Sequence, residues 1–383
     1  MGQKLIHIGY DAKRIVQNRT GLGNYCRTLV GDIHRCYPSL RMSLYIPNRG
    51  DDDLRALLKE DETLRYRLCD QERSRLSRSL WRVRGIVSDL QDEGVDIYHG
   101  LSGELPFGIG KSAVKSVVTI HDLIFLRHPE YYKWIDRQIY EYKFRKTVES
   151  ADRIIAISEC TKRDIMFFSG VGEDKIEVIY QDCNQLFRQP VADSLVAEAK
   201  DKYHLPDKFM LCVGTIEERK NALLAVRAMK QLPSDLHLVL IGRPTDYAVT
   251  VQREAERLGV SSRVMILSGV PTDSLPAIYH QAGVFVYPSR YEGFGIPIIE
   301  AIYSGLPVVA AKGSCLEEAG GDACLYVSPD SVDDFASAVD SLISESDADR
   351  TERVNRSRRY VERFDGGNAA GKVVALYRSL LEG

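Results

Sequence analysis

The sequence predicts an α/β protein built from two doubly wound parallel-sheet domains, and two observations carry that expectation. Short apolar, β-rich runs alternate with helix-like stretches, and the series restarts halfway along the chain. A chain of 383 residues also exceeds what one hydrophobic core usually organises. The first series comprises Leu5 to Gly9, Met42 to Ile46, Val95 to His99, Ser116 to His121, Arg153 to Ser158 and Ile176 to Tyr180. A polar passage from Gln181 to Ser194 follows. The second series comprises Phe209 to Gly214, His237 to Gly242, Val264 to Gly269, Val284 to Ser289, Pro307 to Lys312 and Cys324 to Ser328. Strands that are apolar throughout and bounded by helices imply parallel sheets covered on both faces. The domains therefore read as 1–185 and 186–365, with a terminal segment 366–383 whose helical run from Ala369 to Leu381 has the length to pack back on the first domain.

Composition narrows the function classes. Apolar residues make up 44% and charged residues 27% of the chain, the profile of a globular enzyme rather than a disordered or fibrous protein. A net charge of −3 gives no basic field for nucleic-acid phosphates, so no nucleic-acid partner is expected. The eight cysteines are scattered, without a C-x-x-C pair or a histidine at zinc-ligand spacing, and read as reduced, mostly buried thiols. The first residues, Met1-Gly2-Gln3-Lys4-Leu5-Ile6, lack the apolar run of a signal peptide, and no segment is long and apolar enough to span a bilayer. A cytoplasmic location is expected, and neither a metal nor a resident cofactor. Asp347-Ala348-Asp349 imitates a metal-binding pair but lies in a polar stretch away from any strand end, and Asp51-Asp52-Asp53 reads as a loop.

The most informative segment follows the run Val284 to Ser289. It reads Arg290-Tyr291-Glu292-Gly293-Phe294-Gly295-Ile296-Pro297-Ile298-Ile299-Glu300-Ala301, with helical spacing from Pro297. Proline suits the first turn of a helix. Gly293 and Gly295 let the backbone approach a ligand, and amides at a helix start favour an anion such as a diphosphate. Glu292 and Glu300 flank that position as acceptors for hydroxyl groups.

On these residues the chain resembles the retaining glycosyltransferases of the GT-B fold that carry a Glu-x7-Glu motif, glycosyltransferase family 4 (group 1). Pro288-Ser289 before the motif, Gly305-Leu306-Pro307-Val308-Val309-Ala310 after it, and Glu318 before Gly321-Asp322-Ala323 also fit, so the likeness covers nearly the whole chain. The resemblance implies two Rossmann-like domains facing across a cleft. It also implies that Glu292 contacts the donor sugar, Glu300 the nucleotide ribose, and the backbone at Phe294, Gly295 and Ile296 the sugar and phosphate. Lys220 falls where the family places a phosphate-binding lysine. Arg219 beside it is a less direct match, because the family often has arginine directly after the strand glycine and this chain has Thr215. Cations there stabilise a departing nucleoside diphosphate without a metal. His121 matches a histidine near the donor sugar, with Asp122 next to it. A His-Asp pair taken alone is more often structural. Gly21 and Gly23 match a glycine loop that reaches the donor phosphates, with a plain glycine-rich turn as the alternative.

The activity so implied is transfer of a hexose from a nucleoside-diphosphate sugar to a saccharide or lipid-linked saccharide acceptor, with retention at the anomeric carbon. His121 through Tyr131, together with Tyr10-Asp11 and Gly21 to Tyr25, looks most like mannosyltransferases of surface-polysaccharide assembly, which points to GDP-mannose. A UDP-sugar remains the alternative donor, and a non-catalytic sugar-nucleotide binder the alternative class. A nicotinamide enzyme is disfavoured, since the third glycine of a G-x-G-x-x-G fingerprint would fall on Cys26. One further stretch, 64–84, interleaves Arg65, Arg67, Arg73, Arg75, Arg78, Arg82 and Arg84 with leucines and Trp81. It reads as an exposed helix, more commonly one with a solvated face, and as a basic amphipathic helix it is also a candidate for peripheral membrane contact if the acceptor is lipid-linked.

Overall fold

The computed structural model describes residues 5–69, 74–364 and 366–382. They divide into two compact units. The described residues up to Gln181 join the C-terminal helix Gly366–Glu382 in one, and Asp182–Phe364 form the other.

In the first unit seven strands lie parallel: β1 His7–Asp11, β2 Arg41–Ile46, β3 Leu64–Leu68, β4 Ile97–Gly100, β5 Lys115–Ile120, β6 Arg153–Ala156 and β7 Ile176–Val178. Their order is β3-β2-β1-β4-β5-β6-β7. The chain thus winds outward from β1 to one edge, returns to the other side of β1 at β4, and winds outward again. Tyr10 of β1 pairs with Leu44 on one side and His99 on the other. All five residues of β1 are buried, because helices cover both faces of a parallel sheet. On one face Ile8, Tyr10, Leu44 and Val117 pack against the helices Gly21–Cys36 and Gly366–Glu382, through Leu29, Ile33, Val373 and Tyr377. The C-terminal helix is fixed at a buried polar point, where His99 Nδ1 lies 2.6 Å from the Tyr377 hydroxyl. The opposite face packs Val118, Ile154 and Tyr98 against Trp81, Leu90 and Phe144.

The second unit repeats the plan with β8 Phe209–Val213, β9 His237–Ile241, β10 Val264–Leu267, β11 Val284–Tyr287, β12 Val308–Ala311 and β13 Leu325–Val327. The order is β10-β9-β8-β11-β12-β13, again parallel, with the reversal between β8 and β11. A side chain at Gly242 would put its Cβ 1.8 Å from the Gly214 carbonyl oxygen, so the segments leaving β8 and β9 approach closely only because glycine stands there. The ends of β8 and β11 flank the crevice where open parallel sheets receive ligands.

The basic stretch 64–84 is not one amphipathic helix. Leu64-Arg65-Tyr66-Arg67-Leu68 alternates every second residue and forms the edge strand β3 beside β2, where charged side chains discourage pairing with another chain. Arg73 lies outside the described residues. The helix begins at Arg75–Leu80, passes through a π-helical turn at Trp81–Gly85 and continues as Ile86–Asp92. Trp81 is buried and donates its indole N–H to Asp89 at 2.7 Å, while Arg82 turns inward to Asp11. The aromatic anchor that a lipid surface would need is therefore in the interior, and Arg82 is engaged by carboxylates of its own unit. Asp51 to Asp53 are not a loop either, since Asp51 caps the helix Asp52–Ala56 and Asp53 lies in its first turn. Asp347 and Asp349 are exposed in the first turn of the helix Asp347–Val361, capped by Ser346.

Candidate active site

In the second unit the chain leaves β8 through Gly214, makes a short 3-10 turn over Glu218–Lys220, and enters the helix Ala222–Ala228 at Asn221. Asn221 adopts a left-handed conformation with φ 55°, which asparagine tolerates better than most residues. Its amide nitrogen donates to the carbonyls of Pro288 (3.2 Å) and Pro329 (2.8 Å), tying the turn to the segment after β11. A backbone bond from the Arg290 amide to the Arg219 carbonyl, 2.9 Å, closes the two segments together.

That closure brings Arg219 and Lys220 onto one carboxylate. Lys220 Nζ lies 2.6 Å and Arg219 Nη1 2.8 Å from the same Glu292 Oε1, within ion-pair distance. Lys220 also donates to the Tyr287 hydroxyl at 2.6 Å and sits 4.8 Å from its ring centroid. Arg219 donates to the Tyr291 carbonyl at 2.6 Å and to Glu217 Oε1 at 2.7 Å. The Glu292 backbone is held in turn by Cys315 Sγ, which donates to its carbonyl at 3.1 Å. Burial raises the proton affinity of Glu292, but Lys220 and Arg219 outweigh it and hold the carboxyl below its ordinary range. For both cations burial works against the charge, and Glu292 more than compensates, so their pKa values rise. The site thus holds two cations on the Glu292 carboxylate, with Glu217 as a further partner of Arg219.

The helix Ile296–Tyr303 begins at Gly295, with Pro297 in its first turn. A Cβ at Gly295 would meet Ala319 Cβ at 2.7 Å, so glycine lets the helix start pack this closely. Phe294 places its ring in the interior, edge-on to Phe364 at 5.3 Å between centroids, which leaves only its backbone to serve a ligand. Glu300 lies one turn before the end of this helix and accepts from the Tyr279 hydroxyl at 3.1 Å. Burial pushes its pKa up to about 7, against a smaller opposing effect of that hydrogen bond. The folded protein therefore keeps a proton that the unfolded chain releases from pH about 4.5 upward. Stability from this group is greatest below that range and is lost as pH rises through about 7, at up to roughly 1.4 kcal/mol per pH unit. Thermal unfolding of Glu300→Gln is expected to lack this part of the slope between pH 5 and pH 7.5; identical slopes would show that Glu300 does not titrate there.

In the first unit His121 follows β5, and both ring nitrogens are engaged. Nε2 lies 2.9 Å from the Leu101 carbonyl, and Nδ1 lies 3.0 Å from the Gln181 amide nitrogen. That arrangement fixes the tautomer, with Nε2–H donating and Nδ1 accepting. Burial pushes its pKa down to about 4, so the ring is neutral near pH 7. Tyr25 lies edge-on to it at 4.7 Å between centroids. Asp122 accepts from the Ile124 amide at 3.2 Å, shaping the turn that leaves the strand. Gly21 has open space where a side chain would stand, whereas a Cβ at Gly23 would lie 1.9 Å from the Asn18 carbonyl oxygen. The Gly23 amide donates to Asn18 Oδ1 at 3.1 Å, so this glycine already has a structural task. Tyr287, Asn221, Glu217 and Gln181 do not stand out in sequence, although an asparagine between a cationic pair and a helix is a signal for a left-handed cap.

Two parallel-sheet domains of this kind, with a cationic cluster at the reversal point of the second, are the GT-B architecture. Residues 22–181 match the family model described as Glycosyltransferase Family 4, and residues 197–360 the model described as Glycosyl transferases group 1. The chain belongs to this glycosyltransferase family. It is 28% identical over 308 residues to O-antigen chain mannosyltransferase B of Escherichia coli, covering 79% of this chain and 77% of that protein. It is 28% identical over 251 residues to O-antigen chain mannosyltransferase RfbU of Salmonella typhimurium, covering 66% of each. Its fold is similar to that of a glycosyltransferase from Rickettsia africae, with a TM-score of 0.77 at 16% identity over the full length of both. Among the described residues no group of three His, Cys, Asp or Glu is placed to hold a metal ion, and no helix is long and apolar enough to cross a membrane.

Proposed function

We propose that this glycosyltransferase moves mannose from GDP-mannose to a hydroxyl of a saccharide or lipid-linked saccharide, with retention at the anomeric carbon and without a metal ion. The observation that carries this reading is the convergence of Lys220 and Arg219 on Glu292 at the reversal point of the second sheet. Negative charge grows on the diphosphate as the sugar leaves, and preorganised buried cations stabilise it more than solvated ones would. The start of the helix Ile296–Tyr303 would receive the phosphates through backbone at Phe294, Gly295 and Ile296. Glu292 would hold the sugar and Glu300 the ribose. In the first unit His121, with Asp122 and Gly21, would contribute to the donor side.

The state of the carboxylates supports a course without a covalent glycosyl-enzyme intermediate. Glu292 shares its charge with two cations, which makes it a poor nucleophile, and Glu300 keeps its proton to about neutrality. Substitution on the front face then needs no protein nucleophile: the acceptor hydroxyl forms the new bond as the diphosphate leaves, and a phosphate oxygen takes the hydroxyl proton. A neutral His121 with both nitrogens engaged is a positioning group rather than a base. The sugar is supported by the names of the two relatives, and a cytoplasmic setting by eight free thiols, the state a reducing compartment maintains.

A panel of nucleotide sugars tests the reading by release of nucleoside diphosphate with and without acceptor. GDP-mannose is expected to be turned over at least about tenfold faster than UDP-glucose, a discrimination of about 1.4 kcal/mol. A preference for a UDP-sugar would replace the donor, and tight donor binding without transfer would make the chain a binding module.

A further inference from the structure

The first unit holds a second charged site that the donor chemistry does not use. A cavity of about 630 Å³ opens beyond the carboxyl ends of β1 and β2. Four cations from three parts of the chain line it. Lys13 comes from the helix after β1, Arg78 and Arg82 from successive turns around the start of the π-turn, and Lys143 from the helix Trp134–Ser150. Gln17 and Asn48 add amide groups and are themselves joined by a 2.7 Å hydrogen bond.

The charges here do not cancel. Asp11 accepts a forked contact from Arg82, with Nη2 at 2.6 Å, and Glu104 takes Arg82 Nη1 at 2.8 Å and Lys143 at 3.0 Å. Lys13 and Arg78 have no ion pair among the described residues, and the four cations exceed these two carboxylates by two. Burial, and after it the charges of Arg82 and Arg14, push the Lys13 ammonium below its usual range. Crowding cations in a partly buried space costs electrostatic energy that a bound anion recovers. Asp11 and Glu104 fix Arg82 and Lys143 in place, so an arriving anion meets preorganised donors. The π-turn that aims Arg82 is itself an irregularity often found at functional positions.

We propose that this cavity binds a phosphate carried by the acceptor saccharide. The proposal rests on the reading that the first unit receives the acceptor. Two excess charges suit a phosphate dianion or a diphosphate better than a single carboxylate, and the volume admits a sugar ring beside it. The phosphate can come from a phosphorylated sugar or from the diphosphate that joins a saccharide to a lipid.

Calorimetric titration of the full chain, with the donor site saturated by nucleoside diphosphate, separates these sources. The probes are a hexose 1-phosphate, a hexose 1-diphosphate, a hexuronate and a methyl hexoside. Both phosphorylated hexoses are expected to bind at least about tenfold tighter than the methyl hexoside. A further gain with the diphosphate would favour the lipid-linked source, and a preference for the monophosphate a phosphorylated sugar. The variant Lys13→Gln/Arg78→Gln is expected to lose about tenfold or more of that affinity while melting within about 2 °C of the wild type. If that variant does not fold, the wild type in about 1 M salt, where the screening length is ~3 Å, decides the matter by losing the phosphate preference. Equal binding of neutral and phosphorylated hexosides, a hexuronate binding as tightly as the monophosphate, or an unchanged affinity in the folded variant would overturn the proposal. Phosphate binding without transfer from any donor would remove the proposed reaction and leave this site standing.

Discussion

Lys220→Ala is expected to lower kcat by about 10²- to 10³-fold, the usual loss when one preorganised donor to a developing oxyanion is removed. The geometry gives the reason. Lys220 Nζ is held between Glu292 Oε1 and the Tyr287 hydroxyl, each at 2.6 Å, and does not depend on a flexible stem to find the phosphate. Arg219 stays paired with Glu292 and Glu217 in the variant, so the fold loses less than the chemistry does. Lys220→Arg is expected to restore little, because a planar guanidinium does not fit a position defined for a compact ammonium above the Tyr287 ring. Single-turnover kinetics with saturating donor reads the effect. A variant that keeps full turnover would remove Lys220 from the proposed mechanism.

Glu292→Gln is expected to have the largest effect on stability, about 3–5 kcal/mol, because it leaves a buried cation without its counter-charge. Arg219 retains Glu217, but Lys220 has no second carboxylate among its described ion pairs. The loss falls where an anionic ligand would bind, so nucleoside diphosphate is expected to raise the melting temperature of this variant more than that of the wild type. Donor turnover falls with it if the carboxylate also holds the sugar. An unchanged melting temperature would mean that the cations find other partners, and normal transfer would exclude Glu292 from donor binding.

Strand positions were legible wherever strands are apolar along their whole length, as in Phe209 to Val213 or Val284 to Tyr287, because burial on both faces imposes a continuous hydrophobic run. The edge strand β3 was not legible. Its Leu64-Arg65-Tyr66-Arg67-Leu68 places cations where an edge must resist pairing, and arginine with leucine imitates one face of a helix. The same ambiguity drew Trp81 and Arg82 toward solvent in the sequence, whereas Asp11, some seventy positions earlier, draws Arg82 inward. Glu292, Glu300, Gly295 and Pro297 were legible because strand, loop and helix start follow one another within a short window.

The sequence by itself determined the two βα series, the glycine and proline that start the helix at Ile296, and the identity of the charged groups after β8 and β11, since these depend on local periodicity and backbone freedom. Tertiary structure decided which charges meet. Lys220 lies 67 residues from the tyrosine that holds it, and His99 lies 278 residues from the hydroxyl that fixes the C-terminal helix. Partners so far apart are chosen by the winding order of the strands; the burial that follows sets the protonation of Glu300 and His121, while Lys220 and Arg219 hold Glu292 ionised against it.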